Sequence, residues 1–87
     1  MDAVAQLGVL THLAREWGIE VRHVPLDGAG GGLCVVRGRR VLFVDTTADP
    51  ATRLERTARA LAQLPEIDTR FIRPDIRDLL ERYRRGG

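Results

Sequence analysis

Three stretches of the chain place apolar side chains at the spacing of an amphipathic helix. Residues three or four positions apart share one helix face, so such a stripe predicts a helix packed on a core. In residues 2–17, Asp2 is suited to cap the first turn and Gly18 to end the helix. The stripe in this stretch consists of Ala3, Leu7, Leu10, Ala14 and Trp17.

Two further helices are predicted in the second half of the chain. The first begins at Asp49 and Pro50, a capping residue followed by one favoured in the first helical turn, and it ends before Pro65. Its inner face consists of Leu54, Ala58, Leu61 and Ala62. The second begins at Pro74, and its apolar stripe consists of Ile76, Leu79, Leu80 and Tyr83. We expect both helices to dock on the core through these faces.

The residues between the helices show the shorter period of β-strands. Residues 19–24 alternate in polarity, which predicts a strand with one buried face that ends at Pro25. Residues 33–36 and 41–44 are uninterrupted apolar runs, and the polar residues 37–40 between them predict a tight hairpin turn. Apolar runs without alternation predict strands that are at least partly covered on both faces.

Together these elements predict a small α+β domain. It has a three-stranded, mainly antiparallel sheet, one N-terminal helix and two C-terminal helices. We expect a single domain over residues 1–83 and a flexible tail over residues 84–87. A chain of 87 residues buries only about 60–65% of its unfolded surface, so a partner or self-association could add to its stability.

The charges are numerous and nearly balanced. All 14 basic residues are arginine, against 12 acids, which leaves a net charge of +2 and a pI near 9.5. Arg37, Arg39 and Arg40 form a local cluster and a candidate interaction patch, but the lack of a one-sided basic excess disfavours nucleic acid as the partner. No apolar run reaches the roughly 18 residues of a membrane span, so no membrane partner is expected and the expected location is the cytoplasm.

The chain has few side chains suited to catalysis or metal binding. It has no serine, and its only soft metal ligands are His12, His23 and Cys34. His12 is predicted to face water and Cys34 to be a small core residue. A closed zinc site takes four ligands, so we expect no metal, no cofactor and no catalytic activity. A single cysteine also fits a reducing compartment.

Glycine occupies four of the five positions from 28 to 32. Phosphate-binding loops lead from a strand through glycines directly into a helix. Here the glycines precede an apolar strand, so we predict a joint between strands in which the glycines adopt positive φ angles. A mobile flap or binding loop formed by Gly28, Gly30, Gly31 and Gly32 is the alternative.

The order of elements resembles the N-terminal part of ImmA/IrrE-type metallopeptidase domains. The resemblance covers residues 5–64 and includes a helix, GIEVRHVPL, a glycine-bearing loop, GRRVLFVD and a second helix. In that family the second helix carries a zinc-binding His-Glu-x-x-His motif. Arg59, Ala60 and Gln63 stand at the corresponding positions, and none can bind zinc or activate water. The resemblance therefore implies a domain that has lost its catalyst.

The last four residues, Arg84-Arg85-Gly86-Gly87, resemble the end of ubiquitin-like modifiers. Those proteins begin with a β-hairpin, whereas this chain is predicted to begin with a helix. The sequence as a whole favours a small non-catalytic protein-interaction or accessory domain, whose partner is another protein or a second copy in a homodimer. Two alternatives stay open: a ligand-binding domain derived from a metallopeptidase-like fold, and an arginine-mediated nucleic-acid binder.

Overall fold

The computed structural model describes residues 1–28 and 30–85. The helices and strands follow in the order α1 (Ala3–Glu16), β1 (Glu20–Val24), β2 (Gly32–Val36), β3 (Arg39–Asp45), α2 (Pro50–Ala62), the single turn α3 (Glu66–Thr69) and α4 (Pro74–Arg85). The predicted α+β class, with one helix before the sheet and two longer helices after it, is confirmed.

The sheet is mixed, with the strand order β1-β3-β2. β3 pairs antiparallel with β2 and parallel with β1. The predicted hairpin between β2 and β3 is present, and its two-residue turn consists of Arg37 and Gly38, whose φ angles are 52° and 77°. Two successive positive φ angles are typical of a type I′ turn, whose twist matches that of the strands. β1 and β2 pair with opposite sides of β3. The central strand is therefore β3, the last of the three in sequence.

The helices lie on one face of the sheet. α1 packs on β1, α2 packs on β2 and β3, and α4 packs on α2. The caps predicted for α1 and α2 are present, since Asp2 accepts a hydrogen bond from Ala5 N and Asp49 accepts one from Thr52 N, both at 2.8 Å. The core between helices and sheet contains the fully buried residues Leu10, Leu42, Ala58, Leu61 and Leu80.

The last helix docks through the predicted stripe. Ile76, Leu79 and Leu80 are buried and Tyr83 packs partly against the core. The helix extends to Arg85 and so includes the first part of the tail predicted for residues 84–87. Arg84 donates to both carboxylate oxygens of Asp68 at 2.7 and 2.8 Å, which fastens this last turn to α3. Gly86 and Gly87 lie outside the described residues.

Candidate functional site

The glycine loop between β1 and β2 has a backbone that suits glycine at every described glycine position. Gly28, Gly30, Gly31 and Gly32 have φ angles of 78°, 139°, 132° and 116°. Side chains with a Cβ rarely adopt such angles, so the glycines satisfy a conformational requirement. At Gly31 space is also limited, because a Cβ there would stand 3.2 Å from the carbonyl oxygen of Phe43.

Asp45, at the end of β3, holds the start of this loop. Its side chain accepts hydrogen bonds from the backbone N–H of Leu26 at 2.9 Å and of Gly28 at 3.0 Å. It also accepts one from the hydroxyl of Thr47 at 2.6 Å and one from the N–H of the same residue at 2.9 Å. Asp45 is only 3% exposed. The bond from the Thr47 hydroxyl and those from the backbone N–H groups hold the pKa of the Asp45 carboxyl well below its usual range.

Arg56 of α2 holds the later part of the loop. Its guanidinium donates a hydrogen bond of 2.8 Å to the carbonyl oxygen of Gly30. The same nitrogen lies 3.9 Å from a carboxylate oxygen of Asp45. The N–H groups of Leu26 and Gly28 are thus already hydrogen-bonded to the carboxylate of Asp45. The carbonyl oxygen of Gly30 is likewise occupied by the guanidinium of Arg56. This arrangement supports a fixed joint rather than a phosphate-binding loop.

The strand that follows the loop forms one edge of the sheet, which we call the β2 edge (Gly32–Val36). Two sequence predictions are wrong here: the Leu33–Val36 run is not covered on both faces, and Cys34 is not a core residue. Val35 and Val36 are 69% and 36% exposed, and Cys34 is an exposed free thiol. Only Leu33 packs against the core. The continuous apolar run therefore belongs to an edge strand and not to a central one.

The geometry of the hairpin shows which backbone groups the β2 edge presents. In a two-residue type I′ hairpin, the residues that flank the turn exchange both backbone hydrogen bonds, which here pairs Val36 with Arg39. Bonded and non-bonded pairs then alternate along the ladder, so Cys34 also directs its N–H and C=O toward β3. Leu33 and Val35 direct theirs outward, away from the sheet.

The opposite edge of the sheet differs in chemistry. β1 carries Glu20, Arg22 and His23 among its five residues, and Pro25 follows it directly. Arg22 bonds to Glu20 and its guanidinium lies 5.8 Å from the centre of the Phe43 ring. Charged side chains and proline are the means by which natural proteins prevent edge strands from pairing with other chains. The β2 edge has neither.

The sheet face opposite the helices, which we call the open face, carries a shallow depression beside the β2 edge. Strand register places Gly32 and Phe43 in one row of this face and Cys34 and Val41 in the next. Val41 is buried and Phe43 is partly exposed. The depression has a volume of about 350 Å³, and its lining consists of Leu26, Gly30, Gly31, Gly32, Cys34 and Phe43.

The structure divides the predicted arginine patch. Arg37 and Arg39 are exposed at the hairpin turn. Arg40 is half-buried and donates to a carboxylate oxygen of Glu66 at 2.9 Å and to the carbonyl oxygen of Trp17 at 2.7 Å. The hydrogen bond with Arg40 lowers the pKa of the Glu66 carboxyl and raises that of the guanidinium. Arg40 therefore connects β3 to α3 and to the end of α1, and Arg37 and Arg39 are the exposed members of the patch.

The three soft metal ligands lie apart. His12 is exposed, as predicted, and lies 3.2 Å from Glu16 on α1. His23 is exposed on β1, and Cys34 lies on β2 at the other edge of the sheet. Within residues 1–28 and 30–85, no three side chains of His, Cys, Asp or Glu are grouped so that they could hold a metal ion.

The positions aligned with the metallopeptidase motif lie at the end of α2. Arg59 donates to Glu55 at 2.9 Å and its guanidinium lies 5.5 Å from the centre of the Tyr83 ring, while Gln63 caps the helix. No family model, no curated protein and no solved structure matches this chain. The resemblance to ImmA/IrrE-type domains therefore stays a prediction. Among the described residues, no helix has the length and apolar character needed to cross a membrane.

Proposed function

We propose that this chain is a non-catalytic protein-interaction domain that binds its partner by β-strand addition at the β2 edge. In this mode an extended segment of the partner adds a strand to the sheet, with backbone hydrogen bonds supplying affinity and side-chain pockets supplying specificity. The observation that carries the proposal is the 69% exposure of Val35 on an edge strand whose outward N–H and C=O groups are available for pairing.

The contrast between the two edges supports this choice. β1 has the charges and the proline that protect an edge, whereas β2 is uncharged and β-branched at two consecutive positions. The other large apolar side chains exposed in residues 1–28 and 30–85 are Met1, Val4 and Phe71. Met1 and Val4 lie at the start of the chain and Phe71 lies between α3 and α4, and a few exposed apolar residues of this kind are ordinary features of a protein surface.

The anchored glycine loop supports the same function. Asp45 and Arg56 hold the segment that leads into β2, so the strand is presented in one conformation before a partner arrives. A preformed binding segment loses less conformational entropy on association. We infer that the domain works in the cytoplasm, because its only cysteine is an exposed thiol beside this edge and reducing conditions keep such thiols free.

A substitution at Val35 tests the proposal. Its N–H points away from β3, so Val35→Pro removes an outward donor while it leaves the bonds of the hairpin in place. Val35→Thr is the matched control, since it keeps the N–H and the β-branched shape. Tagged protein is co-expressed with an untagged copy in its native cells and captured, and the captured proteins are quantified by mass spectrometry.

We expect a partner to be captured by the native chain and by Val35→Thr but lost with Val35→Pro. Circular dichroism and thermal melting of the purified variants show whether each is folded. Retention of the same partner by a folded Val35→Pro variant would contradict the role of the β2 edge.

A further inference from the structure

We propose that the strand added to the β2 edge is the β2 strand of a second copy, paired antiparallel about a two-fold axis beside Cys34. This inference rests on the proposed function and names its partner. A two-fold interface brings the same surface of two copies together, so the surface must be complementary to itself. Antiparallel strands satisfy this condition, because each strand offers the other the same alternation of donors and acceptors.

The backbone geometry selects a register. Outward N–H and C=O groups belong to Leu33 and Val35, so these residues must form the hydrogen-bonded pairs. When Leu33 of one copy faces Val35 of the other, all five residues of both strands are paired. Sliding by two residues in either direction leaves part of each strand unpaired. In the full register Cys34 faces Cys34 of the second copy in a non-hydrogen-bonded pair.

The side chains at the β2 edge are complementary in this register. Val36 of one copy faces Gly32 of the other on the open face. Because Gly32 has no side chain, the valine can reach the depression beside Phe43. On the helix-facing side, the exposed Val35 meets Leu33, which is already packed against the core. The pairing therefore covers the exposed apolar side chains of the edge.

Charge also favours self-pairing. No residue of the β2 edge is charged, so two copies meet without like-charge repulsion along the strand. The ends of the strand differ, since Arg37 follows it and the loop that precedes it contains Asp27. Antiparallel pairing brings the Arg37 end of each copy toward the Asp27 end of the other. Two β1 strands paired about their centres in the same way would place Arg22 of one copy opposite Arg22 of the other.

The expected product is a continuous six-stranded sheet with helices on one face. A contact limited mainly to two five-residue strands is small compared with standard protein interfaces, so the dimer should be weak and depend on concentration. We therefore expect a mixture of monomer and dimer in sedimentation velocity at micromolar concentrations, with the dimer fraction rising on concentration. Val35→Pro should remain monomeric over the same range.

Disulfide trapping tests the register. Residues facing each other in a non-hydrogen-bonded antiparallel pair have Cα atoms about 4.5 Å apart, within the range that a disulfide can bridge. Diamide should therefore convert the native chain to a covalent dimer, as two Cys34 thiols are oxidised and the diamide is reduced to the hydrazine. The control is the double variant Cys34→Ala, Val35→Cys, whose new thiol replaces the 69% exposed side chain of Val35.

The rates of cross-linking at positions 34 and 35 distinguish the proposed register from random contact between copies. In the proposed register, position 35 of one copy is a diagonal neighbour of position 35 of the other, about 7–8 Å away, which is too far for ready bridging. Cross-linking of Cys34 several-fold faster than of the thiol at position 35 supports the register. Faster cross-linking at position 35 would overturn it, as would a chain that stays monomeric with no diamide-trapped dimer.

The capture experiment separates this inference from the proposed function. If captured proteins depend on Val35 but exclude the untagged copy, the β2 edge binds a different protein and only the homodimer is overturned. If Val35→Pro captures the same proteins as the native chain, the β2 edge is not the interface and both proposals fail. Capture of the untagged copy by the native chain and by Val35→Thr, but not by Val35→Pro, supports both.

Discussion

The carboxylate of Asp45 accepts a hydrogen bond of 3.0 Å from the backbone N–H of Gly28, seventeen positions earlier in the chain. Asp45 is the only buried acid among residues 1–28 and 30–85. The acid at the end of the central strand therefore sets the path of the loop that leads into the edge strand. Asp45 thus fixes the approach to the β2 edge, the surface at which we propose that a partner binds.

The first prediction concerns the loss of this charge. Asp45→Asn has nearly the same shape, but it replaces one acceptor oxygen with an N–H₂ group among N–H donors, which leaves a donor unpaired. We expect a clear drop in the melting temperature and faster hydrogen exchange at Leu26 and Gly28. Asp27→Asn, at an exposed position, is the control and should change neither. Unchanged exchange at Gly28 would contradict the anchoring role.

The second prediction concerns pH. The pKa of Asp45 is lower in the folded chain than its ordinary value of about 3.9, so the charged form stabilises the fold. This stabilisation is fully present above pH 5 and is lost progressively as the pH falls below about 4 toward the folded-state pKa. The difference in melting temperature between the native chain and Asp45→Asn should thus be largest near pH 7 and narrow below pH 4. A difference in melting temperature that stays constant down to pH 2.5 would contradict the stabilisation of the fold by the charged form of Asp45.

Local features of the fold could be predicted from the sequence, and the strand order could not. The caps at Asp2 and Asp49 and the stripe on α4 depend on residues within a few positions of each other. The runs 33–36 and 41–44 look alike in sequence, yet the second is central and the first is an edge. That difference arises because β1 pairs with β3 rather than with β2, a contact between distant segments.

The same limit explains why the candidate site was only partly predicted. The glycines could be assigned to a joint from their neighbours alone. Their anchors, Asp45 and Arg56, lie 17 and 26 positions from the groups they bind, and no spacing rule connects them. The three clustered arginines could not be separated either, because the partner of Arg40 is Glu66 on a distant turn.

The third prediction contrasts two glycines. Gly31 combines a φ angle of 132° with a close carbonyl, so Gly31→Ala should destabilise the fold by about 1 kcal/mol or more. Gly8 lies exposed within α1 with open space around its Cα, so Gly8→Ala should stabilise the fold by roughly 0.5–1 kcal/mol. Denaturant unfolding measures both. Equal effects of the two substitutions would show that the loop backbone is not restrictive.

The fourth prediction concerns Arg40. Its guanidinium bonds to Glu66 and to the Trp17 carbonyl at once, which the single ammonium of lysine cannot reproduce in the same planar geometry. Arg40→Lys should lower the free energy of unfolding by roughly 1–2 kcal/mol. Arg39→Lys, one position away and exposed, should change it by no more than about 0.5 kcal/mol. If the two variants unfold alike, the Arg40 contacts do not stabilise the fold.

The last prediction tests whether α4 belongs to the core. Leu80 is fully buried among the residues that join α4 to α2, and truncation of a buried leucine typically costs about 2–5 kcal/mol. Small domains are only about 5–10 kcal/mol stable, so Leu80→Ala should lower the melting temperature sharply. Arg82→Ala, on the exposed face of the same helix, should leave it nearly unchanged. A melting curve of Leu80→Ala that matches that of the native chain would mean that α4 does not stabilise this domain, and that its apolar face is available to another chain.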